Sequence, residues 1–285
     1  MTDEPRQASL RRLRRYRVRP NRELGQHFLI DDNILRLIGR AAKLAPEDVV
    51  LEVGGGLGVL SEHLAPRVSH LHVVEVDRSL EEPLTEALAP FRGTTLHLAD
   101  AVKLDLSELA PPPGKVVANL PYGVATTVLL KSIAELPGAT RWVAMVQREV
   151  ADRLAASSGG KSYGATSVLA QLACEVRFLR KVPRTVFHPE PNVDSALIVM
   201  RRIAPAAPPE LNTLIHAGFA HRRKALPGSL ALAPGATRDM RDAARSALES
   251  ISRAPDTRAE RLEPADWQRL AEALGQDRVA ALRPR

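Results

Sequence analysis

Cysteine is almost absent: Cys174 is the only one in 285 residues. That excludes a disulfide framework and a cysteine-rich zinc site, and it fits a reducing compartment, the cytoplasm by default. Long apolar runs are missing too, since no stretch approaches the roughly 20 residues needed to cross a bilayer. Neither a metal nor a membrane partner is therefore expected. Aromatic residues make up only 4%, so an aromatic in a loop stands out. Acidic residues fall short of basic ones, 33 Asp and Glu against 40 Lys and Arg, leaving a net charge of +7. Charge alone divides evenly between a solvated basic surface and affinity for a polyanion, with nucleic acid the leading candidate.

What is present is 45% hydrophobic residues, enough for one substantial core and a smaller second domain. Residues 1–22 hold Arg6, Arg11, Arg12, Arg14, Arg15, Arg17, Arg19 and Arg22 without an apolar h-region, and with Asp3 and Glu4 among them. They read as a basic arm, a transit peptide being the weaker alternative. Beyond them, β-rich runs at Val49–Val53, His70–Val76, Thr95–Leu98, Lys115–Asn119 and Trp142–Gln147 alternate with helical patterns, which predicts a parallel, doubly wound sheet. Cys174–Val182 and Ala196–Arg202 have a Pro-containing loop and no helix between them, as an antiparallel pair at the sheet edge would. The fold expected is α/β, Rossmann-like, over residues 23–204. The Pro-rich stretch Ala204–Pro209 cannot continue a strand or helix, so a boundary is placed near 205. Residues 205–275, with helical spacing at Leu211–Leu226, Thr237–Ile251 and Pro264–Leu274, read as a small all-helical domain. Residues 276–285 read as a frayed basic tail.

Strand Val49–Val53 runs into Gly54-Gly55-Gly56-Leu57-Gly58 and then a helix, the arrangement by which backbone turns tightly against a nucleotide-type ligand. Twenty-one residues after Gly54, at the end of the next strand, Glu75 can take both hydroxyls of a ribose. The spacing is G-x-G-x-G instead of G-x-G-x-x-G, so nothing calls for a pyrophosphate, and S-adenosylmethionine is favoured over NAD. At the end of the third strand Asp100, beside Ala101, can accept the adenine amino group of that cofactor or simply cap a helix.

Asn119-Leu120-Pro121-Tyr122 closes the fourth strand, facing the crevice where such sheets bind ligands. An adenine amino group is a poor nucleophile because its lone pair is delocalised into the ring. Acceptors aimed at both N–H groups localise that pair: Asn119 offers a side-chain carbonyl and Leu120 a backbone one, Pro121 stiffens the loop, and Tyr122 gives a face for the base. No carboxylate base is needed, because the methylated ammonium is acidic enough to lose its proton to water. In the loop Val186–Val193, Phe187 can form the other side of an aromatic clamp around an extruded base, or be a core residue. His188 has no visible partner and reads as solvent-exposed.

With these motifs in order, the chain resembles the ribosomal RNA adenine N6-dimethyltransferase family over roughly residues 20–275. The likeness lies in Leu24–Asp31, the loop at Gly54, Glu75, Asp100, Asn119–Tyr122, Gln147–Ala151, Lys161–Gly164, Phe187–Ser195 and Phe219–Lys224. It implies a seven-stranded S-adenosylmethionine-dependent methyltransferase domain with a small C-terminal helical domain. It also implies dimethylation of two adjacent adenines near the 3′ end of small-subunit rRNA. By the same resemblance Gln26, His27 and Leu29 cover the methionine end of the cofactor, and Gly54, Gly56, Glu75, Asp100 with Ala101, and Asn119 complete its pocket. Three positions depart from the family's usual residues: His27 for Asn, Gly55 for Pro, and Gly123 for Asn.

Arg222, Arg223 and Lys224 form the compact cationic cluster expected to bind RNA phosphates, with Lys161 and the N-terminal arginines as further contacts. The partner expected is ribosomal RNA in the immature small subunit, and the chain is expected to be a monomer. Two alternatives stand beside this: the same chemistry on large-subunit rRNA, as in macrolide-resistance methyltransferases, and a ribosome-assembly factor acting mainly by binding.

Overall fold

The computed structural model describes residues 7–21 and 23–284. The described chain divides into two compact units, one running to Ala151 and resuming over Val176–Arg202, the other made of Asp152–Glu175 and the chain from Ile203 onward. In chain order the elements are α1 (Ala8–Arg15), β1 (Phe28–Leu29), α2 (Asp32–Ala42), β2 (Val49–Val53), α3 (Val59–Leu64), β3 (His70–Glu75) and α4 (Glu81–Leu88). There follow β4 (Thr94–Leu98), β5 (Lys115–Asn119), α5 (Ala125–Glu135), β6 (Arg141–Gln147), α6 (Arg148–Leu154), α7 (Ala165–Ala173), β7 (Cys174–Val182), β8 (Phe187–His188) and β9 (Ser195–Arg202). Last come α8 (Pro209–Phe219), α9 (Leu226–Leu230), α10 (Met240–Ser250), α11 (Pro264–Leu274) and α12 (Gln276–Ala281).

Seven strands form one sheet in the order β4-β3-β2-β5-β6-β9-β7. From β4 to β6 neighbouring strands are parallel, and β9 runs antiparallel to β6. Parallel strands covered on both faces need apolar residues at successive positions, and Val50, Leu51 and Val53 of β2 and Val116, Val117 and Ala118 of β5 are accordingly buried. The chain builds outward from β2 through β3 to β4, then returns to place β5 on the other side of β2. That reversal opens a crevice at the carboxyl ends of β2 and β5. The expected pair, β7 and β9, does sit at the sheet edge. A second, two-residue pairing of β1 with β8 is antiparallel, with Phe28 opposite His188 and Leu29 opposite Phe187.

The expected N-terminal arm is a docked helix over most of its described length. Leu13 of α1 packs with Phe28, Leu57 and Leu80, and Ser9 donates to the Leu29 carbonyl at 2.5 Å. Arg12 is ion-paired with Glu62 and donates to the Leu57 carbonyl at 2.7 Å, and Arg15 pairs with Glu86 at 2.9 Å. These contacts turn the basic stretch inward, so two of its arginines are neutralised. Arg6 and Arg22 lie outside the described residues.

The second unit corrects the expected boundaries. Residues 152–175, read from sequence as part of the first domain, belong with the C-terminal helices because Tyr163 is buried there. Its ring meets Phe219 edge-on at 6.1 Å, its hydroxyl donates to the Leu262 carbonyl at 2.8 Å, and Phe219 in turn stacks on Trp267 at 5.5 Å. Gly159 N donates to the Glu260 carbonyl at 2.6 Å, fastening the same segment. The expected frayed tail is also ordered up to Ala281: α12 buries Val279, and Arg278 pairs with Asp239 at 2.6 Å. Arg285 lies outside the described residues.

Candidate active site

At the end of β2 the chain must turn sharply, and Gly54 does so with φ +82°, its N–H held by the Val74 carbonyl at 2.9 Å. A β-carbon at Gly54 would stand 3.1 Å from the Asn119 carbonyl oxygen. Glycine here is thus what lets the ends of β2 and β5 close up. The Glu75 carboxylate ties the loop to the end of β3: Oε2 accepts from Gly56 N, and Oε1 from Val76 N and Asp77 N, each at 2.9 Å. Burial pushes the Glu75 pKa up, and the three backbone donors pull part of that back.

Two adjoining cavities open on this loop. The larger, about 430 Å³, is walled by Gly54, Glu75, Val76, Asp100, Ala101 and Pro121 among others. Asp100 accepts from Val102 N at 2.9 Å, so it caps a turn while also facing the cavity. The narrower, about 60 Å³, is walled by Gln26, His27, Asn119, Leu120, Tyr122 and Phe187. Gly54, Glu75, Val76 and Pro121 line both.

Asn119 has a determined orientation. Its Nδ2 donates to the His27 carbonyl at 3.2 Å, and because a carbonyl only accepts, the amide nitrogen must lie on that side. The Oδ1 is the atom left for a ligand. Tyr122 is anchored through its hydroxyl to Ser195 Oγ at 2.6 Å. Burial raises its pKa, as does Asp194, against the bond to Ser195. The His27 ring lies 5.5 Å from the Tyr122 ring at 30°, and its Nδ1 donates to the Pro189 carbonyl at 2.7 Å. Gln26 is a tie: its Oε1 accepts from Asn21 N at 2.8 Å and its Nε2 donates to Asp77 at 2.6 Å. Burial raises the Asp77 pKa, but the bonds from Ser79 and Gln26 outweigh it and hold the carboxyl low.

Not every expected residue faces the site. Leu29 is turned into the core under α2, and Gly56 contributes its N–H to Glu75; neither lines the two cavities. Phe187 belongs to the core cluster and also walls the narrow cavity. The ring in contact with Tyr122 is that of His27. Arg222, Arg223 and Lys224 belong to the second unit. Sequence reading missed three groups. Ser195 lies within a quoted motif but carried no chemical signal, Asp77 was visible only as the end of Val-Glu-Val-Asp, and Glu52, two residues before Gly54, is fully buried.

Such a fold, with a glycine turn on its central strand and an acid closing the next, defines an S-adenosylmethionine-dependent methyltransferase. Residues 17–274 match the family model described as Ribosomal RNA adenine dimethylase, and the chain belongs to that family. It is 41% identical over 251 residues to Ribosomal RNA small subunit methyltransferase A of Rubrobacter xylanophilus, covering 87% of this chain and 93% of the relative. It is 42% identical over 264 residues to the protein of that name from Thermobifida fusca, covering 90% of each. Among solved structures it is similar to the 23S rRNA methyltransferase ErmE, with a TM-score of 0.64 and 26% identity over 87% of this chain and all of the other. A dimethyladenosine transferase from Plasmodium falciparum shares the fold, with a TM-score of 0.74 and 24% identity over 86% of this chain and 96% of the other.

The residues fit the cofactor. A cavity of about 430 Å³ is in the range of small-molecule sites. It sets two carboxylates, Glu75 and Asp100, among apolar walls at Val53, Val76 and Ala101, and a β-carbon on Gly54 would crowd it.

Proposed function

We propose that the protein dimethylates the N6 amino groups of two adjacent adenines near the 3′ end of small-subunit rRNA, in the immature subunit, as a cytoplasmic monomer. The observation that carries the chemistry is the fixed Asn119 amide, whose nitrogen is committed to His27 and whose Oδ1 is left to accept. Glu75 would hold the ribose through the lone pairs its backbone donors leave free, and Asp100 the adenine amino group. Gln26, His27 and Asn119 would flank the methionine end, with Leu29 supporting them from the core and Gly56 acting through Glu75.

When bound, the cofactor supplies a methyl group made electrophilic by its sulfonium. Asn119 Oδ1 and the Leu120 carbonyl accept from the two N–H bonds of the target amine and localise its lone pair for in-line attack on that methyl. The N–C bond would form as the C–S bond of the cofactor broke, and the methylated ammonium would be acidic enough to give its proton to water, so that no carboxylate base is required of the chain. Tyr122 and Phe187 would hold the base, and Pro121 keeps the loop stiff, so that positioning and exclusion of water carry most of the rate.

The small-subunit choice is supported by relatives of that name at 41–42% identity, against 26% for the 23S enzyme. An assembly factor acting only by binding would not need the Asn119 geometry. Incubation with methyl-labelled cofactor and immature small or large subunits, followed by mapping of the base, tests the reading. Label on paired adenines of the small subunit is expected, and label confined to the large subunit would refute it. Asn119→Ala should cut transfer by roughly 10²–10³-fold, the cost of removing one preorganised hydrogen-bonding group, with RNA binding kept. Parental activity in that variant would exclude the proposed role.

A further inference from the structure

A cavity of about 440 Å³ in the first unit lies apart from the two above, with Arg36 and Arg40 of α2 and Arg180 of β7 in its wall. Arg36 and Arg40 are four residues apart and share a helix face, and all three arginines are exposed. None is ion-paired among the described residues. Arg36 Nη2 donates to Asn33 Oδ1 at 2.6 Å, and the side chains of Arg40 and Arg180 have no hydrogen bond or ion pair there. The one carboxylate in the wall, Asp31, accepts from Ile34 N at 3.0 Å as the cap of α2.

Several other arginines of the chain are answered by carboxylates. Arg12 pairs with Glu62, Arg15 with Glu86, Arg222 with Glu260 and Arg278 with Asp239. Three guanidinium groups around one concavity, with Asp31 the one carboxylate in its wall and ion-paired to none of them, leave an excess of positive charge that suits an anion. Planar forks of this kind suit phosphate oxygens.

The place of the cavity names the anion. Its wall includes Asp31, just after β1, and Val186, just before β8, and Ile30 N donates to the Val186 carbonyl at 2.9 Å. Phe28 and Phe187 of the same two strands wall the narrow cavity beside Asn119 and Tyr122. The β1–β8 ribbon therefore separates the arginines from the place of the target base. A nucleotide strand that delivers a base to Tyr122 must carry its flanking phosphates past this ribbon.

We propose that Arg36, Arg40 and Arg180 form a phosphate-anchoring site for the RNA backbone next to the target adenines. The inference rests on the reading of the substrate as RNA. The test compares the parent chain, Arg36→Gln/Arg40→Gln/Arg180→Gln, Arg40→Gln/Arg180→Gln and a control, Arg67→Gln/Arg92→Gln, which removes two exposed charges elsewhere in the first unit. Immature small and large subunits are the probes, and Kd is measured across a salt series. The triple variant should lose about three from the slope of log K against log salt and the double variant about two. Both should bind at least about tenfold more weakly at low salt, with cofactor affinity by calorimetry unchanged. The control should keep nearly the parental slope.

Slopes equal to the control's would overturn the site, as would a parental slope that inorganic phosphate leaves unchanged while occupying the arginines, which would mark a free-anion site. If the parent methylates only large subunits, the small-subunit reading fails, while the slopes on the subunit that binds still decide the anchor. A parent that binds neither subunit overturns both.

Discussion

Glu52 lies fully buried in β2 with no hydrogen-bond partner for either oxygen. Burial, with the Glu75 charge adding to it, pushes its pKa from 4.5 up to about 8, and the Ser61 hydroxyl offsets only part without reaching hydrogen-bond geometry. Below 4.5 the carboxyl is protonated in both folded and unfolded chains. Between 4.5 and about 8 the unfolded chain releases the proton and the folded one keeps it, so stability falls as pH rises and levels off above that range. At pH 7 the cost is of the order of 3 kcal/mol. His63, His70, His72, His97 and His216 act in the opposite sense: burial lowers each pKa, and their contribution is lost as pH falls through 6.5. The measurement is therefore a difference. The melting temperature of Glu52→Gln minus that of the parent should become more positive from pH 5 to pH 8, and a constant offset would contradict the assignment of this carboxyl. At the same scale, Asn119, Glu75 and Tyr122 were readable because strand ends and glycine spacing place them. The His27 ring beside Tyr122 was not readable, because 95 residues separate the two and only the β1–β8 ribbon, itself tied to Pro189, positions the histidine.

Among elements, the strand-to-helix turn after β2 has little room for added atoms. Gly58 precedes α3 with φ +77°, and a β-carbon there would stand 2.4 Å from Ala87 Cβ and 3.2 Å from Leu84 Cδ1, both on α4. Gly58→Ala adds left-handed strain to overpacking, which alone costs about 1–3 kcal/mol. Gly123, after the tetrapeptide, has nothing within 4 Å of such an atom. Calorimetry should show Gly58→Ala melting several degrees below the parent and Gly123→Ala within about one degree; similar losses in both would refute the packing argument. Gly55, where the family often has Pro, is explained in the same way, since a β-carbon would approach Val73 Cγ1 to 2.5 Å. The inner strands β2, β3, β5 and β6 were legible because apolar runs buried on both faces leave little else to fit. The strands β1 and β8 were not, being two residues each, with partners about 160 positions apart. Residues 152–175 were misassigned because nothing local to Tyr163 says what covers its ring, and its partners Phe219 and Leu262 lie far along the chain.

For the whole molecule, a net charge of +7 is a poor map of where RNA is held, because much of the positive charge is answered internally. The cluster Arg222-Arg223-Lys224 divides on this ground. Arg222 Nε donates to Glu260 at 2.9 Å and its Nη2 to the Lys161 carbonyl at 2.6 Å, so it staples residues 152–175 to the C-terminal helices within the second unit. Arg223 and Lys224 have no ion pair among the described residues, and Lys224 shares a cavity wall with Arg241 and Arg245. An unpaired cation releases a condensed counterion from the RNA when it meets a phosphate, whereas one already held by a carboxylate contributes little to that release. Arg223→Ala/Lys224→Ala should therefore lower the salt slope of RNA binding by about two, while Arg222→Ala keeps a nearly parental slope. The Arg222 variant should instead show faster amide exchange at residues 157–163, the segment its guanidinium fastens. A slope loss in Arg222→Ala equal to that of the double variant would mean that RNA displaces Glu260, and that the internal pair is a resting partner waiting to be exchanged.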